Sequence, residues 1–143
     1  MATPGHLDYQ GRSYAFAWAR CEWFGPPYGL TVAAGGEGCG LSMVNLQVTG
    51  TRELSHMVGH TWVMDLKEEE VNPGISRGEG GLVLDGERPY VWKAWVRCKR
   101  YVEDQNVLVV DFSRVVVDED HGGAPEEIEG IAYCNIEYER ADD

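Results

Sequence analysis

Two long runs of alternating side chains, 89–102 and 106–118, are separated only by the polar stretch Glu103-Asp104-Gln105-Asn106. A period of two sustained over that length marks extended chain whose two faces see different surroundings, and a short polar break lets the second run fold back on the first. The sequence therefore predicts an antiparallel hairpin with Trp92, Val96 and Cys98 on its core face. Such a hairpin needs other elements to cover that face. Sixteen valines and fifteen aromatics, against 23 Leu, Ala and Met, make those elements strands, and 18 Gly with six Pro supply the breaks between them.

Further strands are expected at 13–24, 28–34, 41–49, 60–67, 80–85 and 130–139. Gly25-Pro26-Pro27 and the glycine-rich stretch 35–40 read as turns, because proline lacks an amide donor and glycine reverses freely. One short helix is expected at 51–58, capped by Thr51, with Leu54, Met57 and Val58 to one side, and 68–79 reads as a connecting loop. The expected fold is a single all-β domain over residues 1–143, an antiparallel sandwich or barrel of about eight strands with short flexible termini. A chain of 143 residues buries a sufficient core without disulfides or metals.

The net charge is −12, and it is unevenly spread: residues 1–50 sum to −1, 51–100 to 0 and 101–143 to −11. A field of that sign repels phosphate backbones, so nucleic acid is disfavoured as a partner. No apolar run reaches the roughly 18 residues of a membrane span, and the N-terminus lacks the basic start and apolar block of a signal peptide, so the expected location is the cytoplasm without membrane contact. Cys21, Cys39, Cys98 and Cys134 show no C-x-x-C spacing and lie mostly in apolar runs, where reduced thiols act as small hydrophobes.

Three groups of residues are candidate binding sites. The acids Asp118, Glu119, Asp120, Glu126, Glu127 and Glu129 are expected to form one negative face toward a basic protein. Tyr14, Phe16 and Trp18 alternate along the first long run, opposite Ala15, Ala17, Ala19 and Cys21, and with Trp62 and Trp92 they are the candidate lining of an internal pocket for an apolar or aromatic ligand. Lys93, Trp95, Arg97, Lys99 and Tyr101 form a basic and aromatic set, for which Tyr133, Asn135, Glu137 and Glu139 offer cross-strand ion pairing.

Metal and catalytic signatures are weak. Residues 118–129 place Asp118, Asp120, Gly123 and Glu129 at calcium-loop offsets, but Gly122 offers no side-chain oxygen where one is needed and the flanks are β-like. His56 and His60 are four apart without the glutamate that would activate a zinc-bound water. No metal and no cofactor is expected. The leading expectation is a non-catalytic acidic binding or inhibitor-type protein that engages a cationic partner; the alternative is a pocket-binding barrel, with an enzyme using His56 or His60 as acid/base the third possibility.

Overall fold

A computed structural model describes residues 4–46, 48, 50, 53–65, 70–71, 82–86, 90–117 and 125–140. Among the described residues eleven strands follow one another: β1 (Gly5–Tyr9), β2 (Arg12–Ala15), β3 (Trp18–Gly25), β4 (Gly29–Gly36), β5 (Cys39–Leu46), β6 (Thr61–Asp65), β7 (Glu70–Val71), β8 (Val83–Leu84), β9 (Tyr90–Val102), β10 (Val107–Val117) and β11 (Pro125–Glu139). They form one curled, open sheet, a half-barrel, in which nine run in the order β7-β6-β9-β10-β11-β3-β4-β5-β8, while β1 pairs with β11 and β2 with β1 off that path. The all-β expectation holds, in the form of one bent sheet.

The expected hairpin is β9 with β10, antiparallel from Val102 opposite Val107 to Tyr90 opposite Val117. Its turn is a short 3-10 segment, Glu103–Gln105, closed by Asn106 in the left-handed region at φ 56°. Asn106 also bonds to β11 twice, donating from Nδ2 to the Ile136 carbonyl at 2.7 Å and accepting from the Ile136 amide at 3.0 Å. Ala94, Val96 and Cys98 are buried as expected. The side chain of Trp92 lies outside the described residues.

The run expected as one strand at 13–24 is two. Phe16 donates its amide to Gly5 O at 2.9 Å, and the next residue, Ala17, donates to Gly35 O at 2.7 Å, so the chain leaves the β1 edge and joins β4 there. The crossing shifts the alternation by one residue. Tyr14 and Phe16 are buried before it; Ala19, Cys21 and Trp23 are buried after it, which turns Trp18 outward.

β11 carries the branch point. One of its edges pairs with β10 along residues 125–135; the other takes β1 at 129–132 and then β3, in parallel, from Asn135 opposite Arg20 to Glu139 opposite Trp23. That parallel pair departs from the expected all-antiparallel sheet. The far end of the sheet curls back to β2, where Tyr14 donates to Asp85 Oδ2 at 2.8 Å and Arg12 Nη1 lies 3.1 Å from the same oxygen.

Smaller expectations divide. The helix shrinks to one 3-10 turn, Leu54–Met57, whose Leu54 and Met57 are buried while Val58 is exposed; Thr51 lies outside the described residues. Glu70 and Val71, expected in a loop, pair with Asp65 and Met64 because the chain returns along the exposed edge of β6. No helix among the described residues is long and apolar enough to cross a membrane.

All four cysteines are free and buried. Burial, first, pushes the Cys98 and Cys134 thiols up to about 12 and raises Cys21 further, and neighbouring thiols add to the shift for Cys21 and Cys134. Since the thiolate is the reactive form, a colourimetric thiol reagent at pH 8 is expected to leave Cys21, Cys98 and Cys134 untouched in the native protein and to titrate all four cysteines in denaturant. Rapid native reaction at Cys98 or Cys134, located by peptide mapping, would show that the core opens there.

Candidate functional site

The outer face of the sheet carries an open cleft of about 490 Å³ where β1, β3, β10 and β11 meet. Its lining comes from Pro4 ahead of β1, Trp18, Ala19 and Arg20 of β3, Gln105 of the hairpin turn, Val107 of β10, and Tyr133, Asn135 and Glu137 of β11. The pleat explains the grouping. Arg20, Asn135 and Val107 face one another across three adjacent strands, and Trp18 and Tyr133 stand two residues away on the same side. Glu137 sits at an irregularity between Ile136 and Tyr138, outside the regular pairing with β3.

Two rings dominate the cleft. Trp18 is 46% exposed and Tyr133 37%, unusual for large aromatics in a sheet whose other face buries Trp23 and Phe112. The indole rests on Gly35: a Cβ there would stand 2.8 Å from Trp18 Cζ2, so only glycine leaves space for the ring. Arg20 holds it from another direction, with its guanidinium carbon 5.1 Å from the ring centroid.

Among the described residues the expected lining of the internal pocket is not brought together, and the Trp92 side chain lies outside them. Tyr14, Phe16 and Trp62 are packed into the core, Phe16 with its ring centroid 6.4 Å from that of Phe112 and Trp62 with its ring 4.6 Å from His60. Trp18 is on the opposite face because of the crossing at Phe16 and Ala17.

The basic and aromatic set is split by a bulge. Val109 pairs with Arg100 and Val110 with Cys98, leaving Lys99 without a partner position and shifting Tyr101 to the core side, opposite buried Leu108. There Tyr101 donates to Glu139 Oε1 at 3.1 Å, and burial followed by that bond pushes its pKa up to about 12. Lys93, Arg97 and Lys99 stay exposed, with Trp95 half-buried under Arg97. The expected pairing of these cations with Glu137 and Glu139 is corrected for Arg97: β10 lies between β9 and β11, and the two carboxylate oxygens of its Asp111 accept from two guanidinium nitrogens, Nε at 3.1 Å and Nη2. That bond and charge raise the Arg97 pKa.

The acidic set is divided as well. Asp118, Glu119 and Asp120 lie outside the described residues. Glu126 shares the core side with Ile128 and is bound at the rim by the Tyr9 hydroxyl and by Gln10 Nε2 at 2.7 Å, whereas Glu127 and Glu129 are exposed on the outer side. One strand cannot present adjacent residues on one face. Glu127 accepts from Ser113 Oγ at 3.1 Å, and Glu129 stands two residues along on the same side. Hydrogen-bonding and charge interaction with Glu127 and, more weakly, the charge of Asp8 raise the Glu129 pKa.

His56 lies 3.4 Å from Glu53 and His60 stacks edge-on against Trp62, so the two histidines have different neighbours. Among the described residues no group of three or more His, Cys, Asp or Glu could hold a metal ion. Sequence reasoning named Tyr133, Asn135 and Glu137 as one polar face but did not join them to Trp18 and Arg20, since nothing local signals a parallel pairing of β3 with β11. No known protein family matches the chain, and neither a curated protein nor a solved structure matches it.

Proposed function

We propose that this chain is a non-catalytic acidic binding protein that docks a cationic protein partner on the outer side of β11. The observation that carries the proposal is the Glu127 and Glu129 pair. Both are exposed, they stand two residues apart on the same side of one strand, and Asp8 stands opposite Glu129 in the neighbouring strand. Carboxylates that repel one another hold a proton above the usual range, and an arriving ammonium or guanidinium group relieves that repulsion. The −12 charge of the whole chain adds long-range attraction that weakens as salt shortens the Debye length from about 10 Å at 0.1 M to about 3 Å at 1 M. A cytoplasmic address goes with this proposal, because four unpaired thiols suit a reducing compartment.

An oligolysine titration followed by backbone amide shifts tests it. At low salt the expected response centres on Asp8, Glu127 and Glu129, strengthens as pH rises through the Glu129 pKa, and falls in the variant with Gln at both 127 and 129. Equal response in that variant would remove β11 from the docking surface. The same pair predicts a stability effect. A carboxyl whose pKa is raised on folding favours the fold fully below its ordinary value of 4.5 and loses that contribution as pH rises through the raised one. Glu129→Gln is therefore expected to raise the melting temperature at pH 7 and to make no difference near pH 3. His6, with Nδ1 3.3 Å from Asp8 Oδ2, and Lys93, in register with Glu127 through Val115, are the nearby groups whose titration must be followed alongside.

A further inference from the structure

We propose that the cleft bounded by Trp18, Arg20, Tyr133, Asn135 and Glu137 is a binding site for a neutral sugar ring, independent of the acidic docking row, with which it shares no residue. Shape comes first. A volume of about 490 Å³ lies within the range of small-molecule sites and leaves room for about two pyranose rings. The cleft opens on a strand face, so a ligand enters without the sheet parting.

The lining then selects the chemistry. Arg20 only donates hydrogen bonds, a charged Glu137 only accepts them, and Asn135 and Gln105 do both. Sugar hydroxyls also do both, so every polar group in the cleft finds a partner on the same ligand. A wholly apolar ligand would strip water from these four side chains and return nothing. An anion would gain Arg20 but meet Glu137 and the −12 field, and a cation would gain Glu137 but meet Arg20.

The two rings supply the remaining recognition. The face of an aromatic ring is electron-rich, and the C–H face of a pyranose is a weakly positive apolar plane of similar size. Exposed Trp18 and Tyr133 offer such planes beside the hydrogen-bonding groups, and Gly35 together with Arg20 fixes the indole before a ligand arrives. Preorganisation of this kind lowers the entropy lost on binding. The outer face continues along the parallel strands to Phe24 and Tyr138, whose ring centroids are 5.3 Å apart, about 13 Å beyond Arg20. A free disaccharide uses the cleft alone; a longer glycan chain reaches this second aromatic step.

The test is a panel of neutral disaccharides (maltose, cellobiose, lactose and N,N′-diacetylchitobiose) titrated to about 50 mM, enough to saturate a site with a Kd as weak as about 1 mM. Side-chain NMR signals of the Trp18 indole N–H and the Asn135 and Gln105 amides are followed, with longer oligomers of any sugar that binds. The expected result is saturable shifts at those three groups for at least one sugar. Trp18→Ala is expected to weaken binding at least tenfold, and Gly35→Ala to weaken it as well by displacing the indole while keeping every polar group. Tyr138→Ala is expected to weaken only the longer oligomers if a glycan chain is the ligand, and to leave all affinities unchanged if the ligand is a free sugar. The proposal is overturned if no sugar shifts these signals, if Trp18→Ala binds as tightly as the native chain, or if oligolysine perturbs the cleft more strongly than every sugar. Loss of the oligolysine response at Glu127 and Glu129 leaves the cleft result intact, so the two proposals fail separately.

Discussion

Trp23→Ala is expected to cost about 3–5 kcal/mol of folding stability, while Trp18→Ala, five residues earlier in the same strand, costs less than about 1 kcal/mol. Trp23 is fully buried between Leu30 of β4 and Glu139 of β11 in the pairing register, at the join where the parallel ladder closes. Removing the indole leaves a cavity whose walls belong to three strands held by their own hydrogen bonds, so the site cannot collapse to fill it. Trp18 has solvent on one side and Gly35 on the other, and loses mainly partial apolar contact. For a chain of this length each kcal/mol corresponds to about 2–4 °C in melting temperature, so the two variants separate clearly in a thermal scan. Equal costs, or a larger cost at Trp18, would mean that the alternation runs unbroken from Tyr14 and that Trp18 faces the core.

The second large effect is expected at Gly5. Its φ is +124°, a conformation that side chains rarely adopt, and an added Cβ would stand 2.0 Å from the Ile131 carbonyl oxygen. Backbone cannot yield as a flexible side chain does, so Gly5→Ala is expected to push β1 off β11 and to cost about 3 kcal/mol. Hydrogen exchange gives a local signature: the Tyr133 amide, which donates to Pro4 O at 2.7 Å, and the Phe16 amide, which donates to Gly5 O, should both lose protection. A stability change within about 0.5 kcal/mol would show that β1 is not held in this register.

The hairpin of β9 and β10 was legible because its information is local. Each run carries its own alternation, the turn residues lie between them, and burial of Val96, Cys98, Leu108 and Val110 follows from the period. The same logic misplaced Trp18 and Tyr101. In both cases one residue steps out of the pairing, at the Phe16 and Ala17 crossing and at the Lys99 bulge, and every later side chain changes face. Such a step costs little in sequence pattern, since alanine and lysine are tolerated on either side of it.

The candidate site was half visible. Tyr133, Asn135 and Glu137 announce a polar outer face by their spacing, but the cleft exists only because β3 lies in parallel beside β11, more than 100 residues away in sequence. The acidic group was legible in charge and not in geometry, for net charge adds over a segment whatever its conformation, whereas the pleat sends Glu126 to one side and Glu127 and Glu129 to the other.

By itself, then, the sequence determined an all-β chain, its central hairpin, the apolar environment of its cysteines and the sign of its electrostatic field, all of which depend on neighbours within a few residues or on a simple sum. Only the tertiary structure decided that the sheet is a single half-barrel, that β11 divides one edge between β1 and β3, and that Trp18, Arg20 and Tyr133 meet. Pairing between distant strands is selected by how whole faces pack and curl around a shared core, and that choice is a property of the assembled sheet rather than of any one stretch of chain.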